Sequence, residues 1–431
     1  MANGLRSAAT ASGIEDFYVT FRKTNVTTLV VWGLWWPGMI LGVILLGRLW
    51  CTVCPMELVS NISRRAARRV GLKGISMPSW VRAGYIVLVS YITLQLLVAG
   101  FKIHRVPMYT AYVLAAILGT AVVVGALFRE PRAFCAGFCP AALFLDAYGR
   151  LARLRIAPRR KSVCDRCKTK ECMSEENARR WNARSCASLL QVDEPRFGDG
   201  CVECFQCAKA CPHNNVGFGL LDGPVKKEMM DRLSTAAALF IFVASGFVAH
   251  ELFAEVKPMD RVFHTVPLWL SEIVNRPDAF RWFEPLWFLA ILPFCLVVLL
   301  WILARATRNG IRLREFFIES AYAFIPIVAA GHAAKAIIKM NSWAGYLPEA
   351  LRSPVGMEKA LSITSGELAA HEPIFPVPVI AAVGCALLLL AVSFTIMRWT
   401  RTLPRLVRYP CYGAVCVLFA LYFPVTVRLL I

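Results

Sequence analysis

The chain has 431 residues, 57% apolar and only 18% charged, with 48 Lys and Arg against 28 Asp and Glu for a formal net charge of +20. Soluble domains average roughly 45–50% apolar and about 25% charged. Here the apolar excess collects in nearly charge-free runs of about twenty residues, enough to cross a bilayer core of about 30 Å. This composition points to an all-α polytopic membrane protein. It excludes an ordinary cytosolic enzyme, a disulfide-stapled secreted domain and a disordered chain.

The amino-terminal tail, residues 1–27, lacks the apolar core of a cleavable secretory signal, so no removal is expected. Hydropathy then predicts eight spans: Thr28–Leu46, Ala83–Phe101, Val106–Phe128, Leu233–Leu252, Pro285–Ala304, Phe317–Met340, Pro373–Met397 and Tyr409–Val427. The first three fall in a membrane unit over 28–155 and the last five in a second unit over 233–431, with an insert over 156–232 between them. The fourth span ends on Glu251, and the sixth carries Glu319, Lys335 and Lys339. Phe263–Asn275 is too short to span and predicts an interfacial or re-entrant piece.

Basic residues crowd three short loops. Arg48, Arg64, Arg65, Arg68, Arg69, Lys73 and Arg82 follow the first span, opposed only by Glu57. Arg305, Arg308, Arg312 and Arg314 follow the fifth, and Arg398, Arg401, Arg405 and Arg408 the seventh. With eight spans all three loops share one face with the insert, and the positive-inside rule makes that face cytoplasmic. The expectation is a multi-pass protein of the inner (cytoplasmic) membrane, in contact with lipid, with its insert inside and both termini outside. The basic runs lack interleaved aromatics, so no nucleic-acid partner is expected. No P-loop, Rossmann glycine signature, HExxH or nucleophile elbow is present.

Twelve of the 16 cysteines lie on this basic face. The insert carries Cys164-x2-Cys167-x4-Cys172, then Cys186, then Cys201-x2-Cys204-x2-Cys207-x3-Cys211-Pro212. The last run is the bacterial ferredoxin spacing, in which three close thiolates hold one cluster and the fourth reaches the other. By that exchange Cys164, Cys167, Cys172 and Cys211 hold one [4Fe-4S] cluster, and Cys201, Cys204, Cys207 and Cys186 a second. The first half departs from the pattern in its four-residue gap, and Ala187 stands where proline is expected after the fourth cysteine. A structural zinc site would instead favour two separated CxxC pairs. Nearby Arg166, Lys168 and Lys209 either stabilise reduced clusters or form a solvated basic surface.

A repeat precedes the insert. Gly47–Arg69 contains Cys51-x2-Cys54-Pro55 and Pro131–Arg155 contains Cys135-x3-Cys139-Pro140, each followed by an Arg-studded apolar stretch suited to a helix on the membrane surface. Four thiolates meeting there are the complement of a third [4Fe-4S] cluster. Redox-active dithiols and unligated thiols are the alternatives. Cys295, Cys385, Cys411 and Cys416 lie in predicted spans and read as packing residues.

Over about Thr28–Arg232, the two Cys-Pro repeats and Cys201–Pro212 resemble membrane polyferredoxins of the NapH/MauN type and the carboxyl-terminal part of NosR. The resemblance implies an oxidoreductase component that transfers electrons between the quinol pool and a partner redox protein. The first repeat is one residue shorter than the usual form, and the five spans after Arg232 exceed the smaller family members.

Under this topology His104, His250, His264, His332 and His371 fall at or near the outer face, and His213 inside. His250 and His332 are candidates for axial ligation of haem b or for contact with a quinol. His332, Lys335 and Lys339 share a helical face that suits haem propionates or a quinone headgroup. Interfacial packing and snorkelling are the plainer alternative. Two other functional classes stay open: an iron–sulfur sensor or maturation factor for a partner membrane complex, and a transporter with a regulatory ferredoxin insert. Glu319, Lys335 and Lys339 permit the latter, although no inverted repeat is evident.

Overall fold

The computed structural model describes residues 11–152, 154–174, 176–179, 183, 185–186, 190, 192, 201–220, 233–306, 312–402 and 405–429. Arg308, Ala187 and the 221–232 end of the insert lie outside the described residues. An amino-terminal helix α1 (Ala11–Thr24) leads to Asn25, whose side chain accepts hydrogen bonds from the amides of Thr27 (2.9 Å) and Thr28 (3.3 Å). That cap starts the first crossing, which runs through a π-helical stretch (Leu29–Trp35) into α2 (Trp36–Leu46). The later helices are α3 (Pro55–Arg69), α4 (Tyr85–Gly100), α5 (Pro107–Leu127), α6 (Ala142–Gly149), α7 (Thr235–Phe253), α8 (Lys257–Ile273), α9 (Phe280–Leu286), α10 (Leu292–Ala306), α11 (Leu313–Trp343), α12 (Val377–Met397) and α13 (Arg405–Arg428). Short turns of helix fill several connections.

Among the described residues, 7 helices are long and apolar enough to cross a membrane. They correspond to all the predicted spans but the second. There the structure has α4, with 16 residues, or about 24 Å at 1.5 Å per residue. Its two ends nonetheless join opposite faces of the bundle. Gly84, just before it, packs on Leu143 and Ala236, and Lys102, just after it, lies 3.9 Å from Glu284 at the far end. The segment around Phe263–Asn275 is the amphipathic helix α8, which fits an interfacial placement.

Apolar helices in lipid gain little by burying one another, so they associate through close van der Waals packing at small residues. Gly246 of α7 shows this: a Cβ there would stand 2.0 Å from the Phe288 carbonyl oxygen. Gly125 of α5 does the same for α3, with 2.2 Å to the Ser60 carbonyl oxygen. The centre of the bundle is α11, buried without interruption from Ser320 to Ala334 among α2, α7, α12 and α13. Its 31 residues reach about 46 Å. A lysine near its middle needs a partner at that depth. Lys335 has two, Glu255 at 2.6 Å and Glu251 at 3.4 Å, and also donates to the Glu251 carbonyl at 2.7 Å.

The two Cys-Pro repeats diverge in structure. Pro55 opens α3, an amphipathic helix packed against α5, as its Arg-rich face predicts. The helix after Cys139-Pro140 does not lie on the membrane surface. In α6, Leu143, Phe144, Leu145, Ala147, Tyr148 and Gly149 are all buried, and the helix inserts among α2, α4, α7 and α11. Its charges are balanced internally: Asp146 lies 3.3 Å from Arg150 and 3.9 Å from Arg48.

The insert is closed by an antiparallel pair, β1 (Leu154–Pro158) with β2 (Val216–Leu220), in the register Ile156↔Phe218. It docks on the membrane unit where the Thr52 hydroxyl donates to the Val202 carbonyl at 2.9 Å. The cysteine spacing is therefore carried on a strand-bounded loop pressed onto the end of the first crossing.

Candidate functional site

The twelve motif cysteines come together in three groups of four. Cys164, Cys167, Cys172 and Cys211 line one cavity of the insert together with His213 and Asn215. Burial, and then the charges of Cys211, Cys164 and Cys167, push the Cys172 thiol up to about 11. Cys186 joins Cys201, Cys204 and Cys207, although it sits far from them in sequence. Burial, followed by Cys201, Cys186 and Cys204, raises the Cys207 thiol as well. Thiols crowded in this way resist ionisation unless a cation sits among them. Cys51, Cys54, Cys135 and Cys139 line a third, largely apolar cavity within the helices.

Nitrogen donors are aimed at these sulfurs. The Asn215 side-chain amide donates to Cys164 Sγ at 3.3 Å and its backbone N–H to Cys211 Sγ at 3.4 Å, while the Glu203 N–H reaches Cys201 Sγ at 3.3 Å. A backbone hydrogen bond of 2.7 Å from the Cys186 amide to the Cys172 carbonyl ties the two insert groups to each other. At the third group the Cys135 thiol donates to Glu57 at 3.3 Å, and buried Arg132 lies 3.6 Å from the same carboxylate. One guanidinium nitrogen of Arg132, Nη2, is buried with no hydrogen-bond partner among the described residues. The sequence alone marked neither Arg132 nor Asn215 as belonging to these sites.

The three groups form a series. Thr52, next to Cys51, donates to the carbonyl of Val202, next to Cys201, and the Cys186 amide donates to the Cys172 carbonyl of the outermost group. Around that last group Arg166, Lys168 and Lys209 are exposed.

The histidines are placed differently from one another. His332 is buried at mid-bundle, its Nδ1 lying 3.3 Å from the Tyr148 hydroxyl of α6 and its ring packed edgewise against Phe144, Tyr148 and Phe247. His250 stacks flat on Phe288, with centroids 4.3 Å apart. Lys335 is held by Glu251 and Glu255, and Lys339 sits 5.2 Å over the Trp343 ring. The shared face His332–Lys335–Lys339 is thus divided among three separate sets of contacts. His250 instead belongs to a group with His264 and Glu284, whose ligand atoms lie within 4.8 Å of one another. Nothing in the spacing of these three residues announces the group.

No protein-family model matches the chain, nor does any curated protein or solved structure.

Proposed function

We propose that the protein is a membrane-bound electron relay with three [4Fe-4S] clusters, passing electrons between the quinone pool and a partner redox protein. The reading rests on one observation: the motif cysteines gather in three fours, in a series from a cavity among the helices to the exposed end of the insert. The grouping of Cys186 and Cys211 is the crossed exchange of a bacterial two-cluster ferredoxin. A tetrahedral zinc site would draw four thiolates to about 3.8 Å from one another, given Zn–S bonds of about 2.3 Å. Among the described residues no three thiols come within 4.8 Å of each other. Bound there, the clusters would supply one-electron redox chemistry.

The protein's own part is to hold, insulate and bias them. Amide donors on Cys164, Cys201 and Cys211 stabilise negative charge on sulfur. Arg132 brings a buried cation to the third group, where Glu57 would otherwise oppose an anionic cluster. Exposed Arg166, Lys168 and Lys209 offer an acidic partner a surface beside the outermost group.

The stretch of the third group's cavity lined by Trp32, Trp35, Leu94, Val113 and Ile117, next to its four cysteines, is the quinol site in this reading, rather than His250 or His332. Trp50 lines it too, and its indole N–H is buried without a hydrogen-bond partner among the described residues. An apolar channel with a spare donor near the cysteines suits an isoprenoid quinol.

Two measurements test the reading. Anaerobically purified protein is expected to contain about twelve iron and about twelve acid-labile sulfide per chain, three cubanes' worth. Three zinc ions without iron would overturn it. By the positive-inside rule the basic loops support a cytoplasmic insert in this reading. Exposed Ser162 and Ser353 lie at opposite ends of the bundle. A membrane-impermeant thiol reagent should label Ser162→Cys only from the cytoplasmic side and Ser353→Cys only from outside. Reversed labelling would put the cysteines in the other compartment.

A further inference from the structure

At the end of the bundle away from the cysteines, α7, α8 and the start of α9 meet. His250 occupies the last turn of α7, His264 the middle of α8 and Glu284 the last turn of α9. Glu284 Oε1 lies 3.1 Å from His264 Nε2 and 3.9 Å from His250 Nε2. The first distance is a hydrogen bond. The second is too long for one, so His250 points at the carboxylate across a gap. Ligands bound at about 2.0–2.1 Å to one tetrahedral zinc stand about 3.3 Å apart. The observed pair of distances brackets that value.

The surroundings fix the side chains for ligation. Asp260 Oδ1 lies 3.4 Å from His264 Nδ1, one helical turn earlier on α8. That contact holds the ring through Nδ1, so a metal ion that displaced the Nε2 proton shared with Glu284 would complete the carboxylate–histidine–metal arrangement. The His250 ring is held by Phe288, and its Nδ1 is buried without a hydrogen-bond partner among the described residues. Glu284 has a side chain only 8% exposed, yet the ammonium of Lys102 stays 3.9 Å away. A simple ion pair needs only one imidazole. Here a second has been brought to the same oxygen from another helix.

We propose that His250, His264 and Glu284 form a binding site for a divalent first-row transition-metal ion, with Asp260 as a positioning residue. Two imidazoles and a carboxylate are a zinc-type donor set that leaves one coordination position for water. The site is separate from the cysteines and does not depend on the electron-relay reading. Joining α7, α8 and α9, it would pin the amphipathic helix α8 to the bundle.

The test uses the complete protein as purified from the membrane, stripped of loosely held metal by a chelator and titrated with Zn2+ in competition with a chromophoric chelator. One equivalent should bind. His264→Ala and Glu284→Gln should each weaken binding about 100-fold or more, and Asp260→Asn about 10-fold to 100-fold, with iron and sulfide unchanged. Asp260 is partly exposed, so its variant should fold even where a ligand variant does not. Co2+ added in place of zinc should give ligand-field bands without sulfur-to-metal charge transfer. Failure of the parent to bind one equivalent overturns the proposal. So do parental affinity in these variants or a thiolate charge-transfer band, which would put the ion on cysteine. None of these outcomes bears on the iron count, so the two readings fail separately.

Discussion

Replacing Cys51 and Cys135 together by Ala is expected to remove about four of the twelve irons and to abolish cluster reduction by quinol. Reduction of the two insert clusters by dithionite should persist. The effect is large because these thiols stand between the apolar cavity and the insert: Cys51 packs in one apolar cluster with Val202 and Cys204, and Cys135 lines the cavity. On the electron-relay reading, losing that group leaves an electron from the bilayer no acceptor before the one that Cys204 would help to hold. The insert has its own closure in β1 and β2, and neither strand contains a motif cysteine. Iron that stays at about twelve would show that the cysteines among the helices are plain thiols, or dithiols of the kind the CxxC spacing also allows.

Filling the cavity should separate quinol chemistry from cluster chemistry. Ile117→Trp and Val113→Phe project extra volume into the lined space beside Cys54 and Cys139. Quinol-dependent reduction should fall about tenfold or more, a loss of at least about 1.4 kcal/mol in transition-state binding. Dithionite reduction and iron content should hold. Overpacking costs about 1–3 kcal/mol in a close-packed interior, and starting from a void keeps these variants nearer the low end. His332→Ala is the informative partner. Its ring is packed among Phe144, Tyr148 and Phe247, so its loss should lower thermal stability and leave quinol reduction near the parental rate. The opposite pattern, parental rates in both cavity variants and a collapse in His332→Ala, would return the quinol to the histidines.

The crossings were legible because each buries its apolar length in lipid whatever it packs against, so a window of about twenty residues suffices. The second was overdrawn by a few residues. Ala83–Phe101 is uncharged throughout, but Gly84 takes a positive φ of 87° and the helix begins only at Tyr85. The cysteine spacing stands plainly in the sequence, and the structure brings distant Cys186 near Cys201, while the clusters these thiols would hold remain a proposal. The placement of α6 was hidden. An Arg-studded sequence reads as a surface helix until one knows that Arg150 and Arg48 close on Asp146. The His250–His264–Glu284 group was hidden for a related reason. Its three ligands come from three helices, and each alone reads as a polar residue at a membrane interface. The face of α11 misled in the other direction: His332, Lys335 and Lys339 do share a stripe, but each meets a different neighbour.

The burial of α6 also sets an order for biogenesis. Tyr148 lies against His332, 184 residues further along the chain. Ribosomes add about 5–20 residues per second, so this helix waits roughly 10 to 40 seconds for the wall it will rest on. During that interval the helix after the Cys135–Cys139 turn rests on α2 and α4 without α11, while the residues of the insert have already left the ribosome. Assembly of the insert's groups can therefore precede completion of the membrane one. A chain that stalls before α11 would leave the cysteines among the helices open longest, which is where an assembly factor or an oxidant would first find them.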